Sequence, residues 1–262
     1  MTEKIFGHVH LELNPDQCPE TIEYFERVKN LDGIPSYELA SELLSRDRKN
    51  AMPRDLFAFI VELYEEAISM GNVDAMNDLG ALYYDGRGCC QDFGKAIHYF
   101  TMAAEKGSEQ AVENLGYCYY YGRSIPPDYE KAFQCFAQGA FCGRIVSLYK
   151  IGDMYRSGYY VKKNLRTAFK IYIQCIRLMT PDDEYHTAGQ IYLRLGWAYL
   201  KGEGTEKNSR EALRCFPNAE CYLYDLADSG EVMYMKSLKS AIEGQSRARS
   251  ELAENLPSLN WL

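Results

Sequence analysis

One pattern of small and aromatic residues returns along this chain at an almost constant step, and it limits the fold more than any other feature. Residues 75–107 read AMNDLGALYYDGRGCCQDFGKAIHYFTMAAEKG. The pattern returns 36 residues later from Ala111, another 36 later from Ser147, and after a longer step of 44 from Ile191. Recurrence at such a period marks an array of supersecondary units, each burying its apolar face against its neighbours. A chain of 262 residues built this way needs no single large core.

Within each copy the spacing predicts two helices. Leu79, Leu82 and Tyr83 share one face of the first. They recur as Leu115, Cys118 and Tyr119, as Ile151, Met154 and Tyr155, and as Leu195, Ala198 and Tyr199. A glycine interrupts that helix in every copy, at Gly80, Gly116, Gly152 and Gly196. Mid-helix glycine costs about 1 kcal/mol against alanine, so its return argues that a second helix approaches too closely for a β-carbon. Gly86, Gly122, Gly158 and Gly202 fall where the first helix should stop on a left-handed residue. Asp92, Asp128, Asn164 and Asn208 then stand as N-caps of the second helix. That helix carries Ala96, Ala132, Ala168 and Ala212, small enough for close pairing, followed by Phe100, Phe136, Tyr172 and Phe216.

Residues 1–33 lack the pattern. Residues 5–13 read as a short strand or an extended arm, and residues 19–30 as a helix with a narrow face of Ile22, Phe25 and Val28. Residues 34–228 form the array, opening on a degenerate repeat at 34–73. There Ser36 caps a helix holding Leu39, Leu43 and Leu44, and Pro53 opens a second holding Phe57, Ile60, Val61, Tyr64, Ala67 and Ile68. The clear repeats are 74–109, 110–145, 146–179 and 180–228. The last is preceded by eight extra residues that include Thr180-Pro181-Asp182-Asp183. Eight residues make about two helical turns, so they are expected to lengthen the next first helix at its N-terminal end. Pro217 falls in mid-helix and is expected to kink or break that helix. Residues 229–262 read as a C-terminal capping helix and tail, with a loose apolar stripe of Met233, Leu238, Ile242, Ala248 and Leu252.

The formal charge is 29 − 37 = −8. So acidic a chain repels phosphate backbones, and the basic runs Lys162-Lys163 and Arg247 to Arg249 are too short to offset that. Nucleic acid is therefore not an expected partner. Nor is a membrane, because no apolar run approaches the roughly 18 residues needed to cross one. The start, MTEKIFGHVHLELNPDQ, has neither an apolar signal core nor a small-residue cleavage site. With Met1 in place, a complete cytoplasmic chain is expected. The nine cysteines are an odd set, expected to be free thiols, and Cys135 and Cys215 share the repeat position of Tyr99, as core fillers do. No CxxC pair or Cys/His cluster suggests a metal.

The recurring residues Ala75, Leu79, Gly80, Tyr83, Gly86, Asp92 and Ala96 form an A-x3-LG-x2-Y-x2-G-x5-D-x3-A skeleton. It returns as Ala111, Leu115, Gly116, Tyr119, Gly122, Asp128 and Ala132. The third copy keeps Gly152, Tyr155, Gly158 and Ala168 but has Ser147 and Asn164, and the fourth has Ile191 in place of the leading alanine. This skeleton resembles the Sel1-like repeat family, a branch of the tetratricopeptide-type helical solenoids. The resemblance implies an all-α fold: a right-handed α-α superhelix of about five helix pairs with a C-terminal capping helix. It also implies a bacterial adaptor that binds protein or peptide on a concave face lined by first helices. Some bacterial members are secreted and disulfide-bridged, and others are described as binding or hydrolysing β-lactams. The cysteines and N-terminus here do not fit the secreted type.

Catalytic constellations are lacking in the sequence. Ser147-Leu148-Tyr149-Lys150 matches the S-x-x-K of serine penicillin-recognising enzymes, but no S-D-N or K-T-G accompanies it. Ser147 also sits at the position of Ala75 and Ala111, where packing demands a small side chain. His8-x-His10 has no third ligand nearby, and neither His98 nor His186 has a nucleophile beside it. Gly86-Arg87-Gly88 and Gly202-Glu203-Gly204 lack the Lys-Ser/Thr of a phosphate loop. The expectation is a protein without catalytic activity, cofactor or metal.

First-helix positions not used for packing define a candidate partner-binding row. They are Asn77, Glu113, Tyr149 and Leu193; then Ala81, Tyr117, Asp153 and Trp197; then Tyr84, Tyr120, Arg156 and Leu200. Tyrosine, tryptophan and arginine are the types that anchor interfaces. The alternative role for this row is packing between neighbouring first helices. If it binds, Trp197→Ala and Tyr120→Ala should weaken binding without unfolding the array. Two other readings are an immunity-type protein that occludes a basic toxin, and a β-lactam hydrolase using Ser147. The sequence sets no oligomeric state.

Overall fold

The computed structural model describes residues 2–6, 9–13, 36–46, 54–87, 91–180, 185–228 and 232–254. Among these are eleven α-helices, one 3-10 helix and a two-stranded hairpin. The helices are an all-α repeat array. The chain divides into two compact units, Met1–Pro127 and Asp128–Leu262.

The first unit begins with β1 (Thr2–Phe6) and β2 (Val9–Leu13), an antiparallel pair with Phe6 opposite Val9 and Thr2 opposite Leu13. The run 5–13 is thus split between two strands instead of forming one. The helix expected over 19–30 lies outside the described residues, as does His8. Next come α1 (Ser36–Arg46), α2 (Arg54–Ser69), α3 (Val73–Asp85), α4 (Phe93–Glu105) and α5 (Glu109–Tyr121). Ser36 proves to be the first residue of α1, not a cap. Its hydroxyl donates to the Glu66 carboxylate on α2 at 2.6 Å. Tyr37 donates to Asp78 on α3 at 3.1 Å, so the degenerate pair is tied to the first clear repeat. The interior holds Ala40, Ile60, Tyr64, Met76, Leu79 and Phe100, each at most 1% exposed.

The second unit runs through α6 (Tyr129–Phe141), α7 (Ile145–Ser157), α8 (Leu165–Leu178), α9 (Tyr185–Lys201) and α10 (Ser209–Asp228). A 3-10 turn (Val232–Tyr234) leads into α11 (Met235–Glu254). One apolar cluster joins α7, α8 and α9 through Tyr149, Tyr172, Ile191 and Leu195. Another joins α9, α10 and α11 through Leu193, Phe216, Leu223 and Leu238.

Helix ends follow the sequence signals. Asp92, Asp128 and Asn164 each accept a backbone N–H three residues on at 3.0 Å, and Asn208 accepts that of Glu211 at 3.1 Å. The Lys131 N–H bonded to Asp128 holds that carboxyl below its usual range. Gly86 stops α3 at φ 69°, where its N–H donates to the Leu82 carbonyl and a β-carbon would be strained.

In the second unit one expectation is met in part and two change. The extra residues do lengthen a first helix: α9 has 17 residues against 13 in α3, α5 and α7, a gain of four, while Pro181 to Glu184 lie outside the described residues. Pro217 does not break α10, which continues to Asp228. Phe216, Ala219 and Leu223, all 0% exposed, hold the helix on both sides of an exposed Pro217. The stripe of α11 is also displaced from the expected one. Met233 and Ile242 are exposed, whereas Leu238, Ala241, Gly244 and Ala248 are buried. Gly244 lets α11 lie close against the Phe216 ring.

Candidate partner-binding face

The candidate row divides by unit. In the first, Asn77, Ala81, Tyr84, Tyr117 and Tyr120 are half-buried, and Glu113 is 2% exposed. Asn114 on α5 donates to Asn77 on α3 at 3.0 Å, linking neighbouring first helices. Tyr117 stacks on Tyr121 with centroids 6.1 Å apart, and Tyr120 meets the same ring edge-on at 5.0 Å. Tyr84 packs against Phe93 and Phe100 on α4. Its hydroxyl accepts from Arg123 Nε at 3.4 Å. Burial raises this phenol above its ordinary value and outweighs the hydrogen bond and charge of Arg123, which pull the other way. The result is a patch of tyrosines around one arginine on adjacent helices.

In the second unit four of the six row positions turn inward. Tyr149, Asp153, Leu193 and Leu200 are between 3% and 7% exposed, so a partner has no access to them. Asp153 accepts two hydrogen bonds from Arg194, Nε at 3.0 Å and Nη2 at 3.3 Å, and one from the Tyr172 hydroxyl at 2.7 Å. Burial pushes its carboxyl up, but Arg194, Lys150 and Tyr172 outweigh that and hold it below the usual carboxylate range. Lys150, 8% exposed, lies 5.3 Å from the Tyr149 ring centroid. Arg156 pairs with Glu203 at 3.8 Å. Trp197 is covered by the terminal helices: Nε1 donates to Ser240 at 3.0 Å, Phe216 meets the ring edge-on, and the Arg247 guanidinium lies 5.6 Å from it.

Sequence spacing did not single out Arg123, Tyr121 or Arg194, and it marked Tyr172 only as a packing aromatic. For Arg123 a signal was present, because it follows the helix-stopping Gly122 as Arg87 follows Gly86. Arg87 likewise reaches back one helix pair, donating to the Leu44 carbonyl at 3.0 Å.

Chemical roles find little support in the geometry. Ser147 is 0% exposed, and its hydroxyl fills the space where Gly139 would carry a side chain, so no acyl donor reaches it. A cleft beside Tyr172 and Arg194, also lined by Phe169 and Glu203, holds about 10 Å³, room for roughly one water. Burial pushes the Cys135 thiol to about 11 and those of Cys175 and Cys215 to about 12, far from a reactive thiolate. His98 is exposed and packs edge-on against Tyr99.

Stacked helix pairs, ring-on-glycine packing and capped turns define a helical-repeat protein-interaction fold. The chain belongs to the Sel1 repeat family, whose repeat matches residues 73–108, 110–140, 145–174 and 192–216. Among solved structures it is similar to a Sel1 repeat protein from Oxalobacter formigenes. That likeness has 21% identity and a TM-score of 0.61, over 90% of this chain and 98% of the other. It is also similar to a protective antigen of uropathogenic Escherichia coli with an SLR fold, at 22% identity and a TM-score of 0.58, over 82% of this chain and 45% of that one. A looser likeness is to an immunity protein from Pseudomonas aeruginosa, at 20% identity and a TM-score of 0.45, over 87% of each chain. The first two likenesses bear on the fold, and no partner of this chain follows from any of the three. No curated protein sequence matches. Among the described residues, no helix is long and apolar enough to cross a membrane.

Proposed function

We propose that this protein is a non-enzymatic adaptor that holds a protein or peptide against the first helices of its N-terminal unit. One observation carries the reading. Four of the six row positions on α7 and α9 are buried, whereas five of the six on α3 and α5 stay partly accessible, and there the row is rich in tyrosine. Half-buried tyrosines fixed by ring contacts offer contact area at low entropic cost, as interface anchors do. The burial of Ser147 supports the non-enzymatic part.

The test is affinity purification of the full chain after cross-linking in its native cell, with the partner identified by mass spectrometry. The purified partner is then titrated against wild type, Tyr117→Ser and Tyr120→Ser by calorimetry. A loss of about ten-fold in affinity with unchanged helicity supports the reading. Equal affinities, or steady turnover of a β-lactam by the purified chain, would sink it.

A further inference from the structure

We infer that Arg123 is a preset anchor for an acidic side chain of the bound segment, with an apolar neighbour of that acid lying on Tyr121. This inference rests on the adaptor reading and narrows the chemistry of the partner. The Arg123 guanidinium lies among three rings, 4.9 Å from the centroid of Phe93, 5.5 Å from that of Tyr121 and 5.7 Å from that of Tyr84. Its Nε donates to the Tyr84 hydroxyl. The planar group is therefore held in one orientation with part of its rotamer entropy already spent. Its terminal nitrogens meet no carboxylate among the described residues, although the chain holds 37 acidic residues against 29 basic ones.

Other arginines show what such a group takes when it is satisfied. Arg194 also lies near a tyrosine ring, 5.9 Å from Tyr149, and it grips Asp153 with two hydrogen bonds. Arg156, Arg214 and Arg247 each find a glutamate. Arg123 has the ring support of Arg194 without its acid. The fork of a guanidinium matches a carboxylate, and a half-buried site strengthens such a pair relative to water. Tyr121, 48% exposed, adjoins the guanidinium and stacks on Tyr117, so the anchor is continuous with the tyrosine row. An acidic residue beside an apolar one fits that pairing of charge and ring.

The test uses short random peptides displayed on phage and selected on the full-length protein. Enriched sequences are synthesised with a fluorophore and titrated by anisotropy against wild type, Arg123→Met and Arg123→Lys. Methionine keeps apolar packing on the rings, lysine keeps the charge, and circular dichroism checks that both variants fold. The expected peptides share an Asp or Glu next to an apolar residue. Arg123→Met should weaken them by about ten-fold or more, with Arg123→Lys recovering only part, because an ammonium lacks the fork. Changing the peptide acid to its amide should cost affinity on wild type and little on Arg123→Met. Enriched peptides that bind Arg123→Met as tightly as wild type overturn the anchor and leave the adaptor reading standing. A selection that enriches no peptide on the folded protein removes the adaptor reading, and the anchor with it.

Discussion

The ring of Phe216 lies over Gly196 so closely that a β-carbon there would stand 2.6 Å from Cε1. Gly80 lies under Phe100 and Gly152 under Tyr172 in the same way, each with a ring carbon at 2.7 Å. All three rings are at most 2% exposed. The glycine and the aromatic residue are therefore one packing device, repeated along the array.

Gly196→Ala should lower stability. On an open helix face the change would gain about 1 kcal/mol of helix propensity. Here the new methyl meets a buried ring that has no room to move, and overpacking of that kind costs about 1–3 kcal/mol. A net loss of up to about 2 kcal/mol is expected, read as a lower urea midpoint at unchanged slope. A variant as stable as wild type would show that the ring yields.

Asp153→Asn should cost about 3 kcal/mol or more, because it leaves the Arg194 guanidinium buried without its counter-charge. The pH dependence follows from the same contact. The carboxyl is held below its ordinary value in the fold, so its contribution is present above the unfolded value of about 4 and is lost as pH falls through the folded value. Protection of α7 and α9 amides from hydrogen exchange, relative to their intrinsic rates at each pH, should fall below about pH 4 in wild type, with that acid-dependent step much reduced in Asp153→Asn. An identical acid profile in both proteins would remove Asp153 as the cause.

Most of the helix hairpin was legible in sequence, because caps, stop glycines and small residues act locally and repeat. Asp92, Asn164 and Gly86 could be assigned from their own positions. The solvent exposure of the candidate row was not legible, because it depends on what each helix meets. Tyr117 and Asp153 occupy the same repeat position, yet one is half-buried beside Tyr121 and the other is bonded to Arg194 across a helix pair. The stripe of α11 was legible only in part, for a related reason. Leu238 and Ala248 are buried as the stripe predicts, but Met233 and Ile242 are exposed, and Ala241 and Gly244 are buried instead, with Gly244 against the Phe216 ring.

Trp197→Ala separates binding from packing. From sequence its loss should weaken a partner and spare the fold, but the ring is held by Phe216, Ser240 and Arg247. Removing it should cost about 3 kcal/mol, the lower end for a large aromatic because the ring is half-buried. The effect should concentrate on α11, which loses both a hydrogen bond and a platform. Limited proteolysis is expected to cut near the 3-10 turn sooner in the variant. Unchanged proteolysis together with weakened partner binding would return Trp197 to the interface.

Pro217→Ala should stabilise the protein. Proline has no N–H for the Leu213 carbonyl, and its ring crowds the preceding turn, a defect of about 3 kcal/mol in an ordinary helix interior. The side-chain amide of Asn218 donates to the next carbonyl along, that of Arg214, at 3.1 Å, and so does not replace the missing bond. Pro217 is exposed, so an alanine methyl meets no packed neighbour that could oppose the gain. A gain of up to about 3 kcal/mol is expected, seen as a higher urea midpoint for the transition that unfolds α10. The opposing outcome has its own physical meaning. If alanine straightens α10 and lifts Phe216 from Gly196 and Gly244, stability falls and α11 becomes easier to cleave. The sign of the change in urea midpoint therefore reports whether the proline is a tolerated defect or a bend that the ring contacts require.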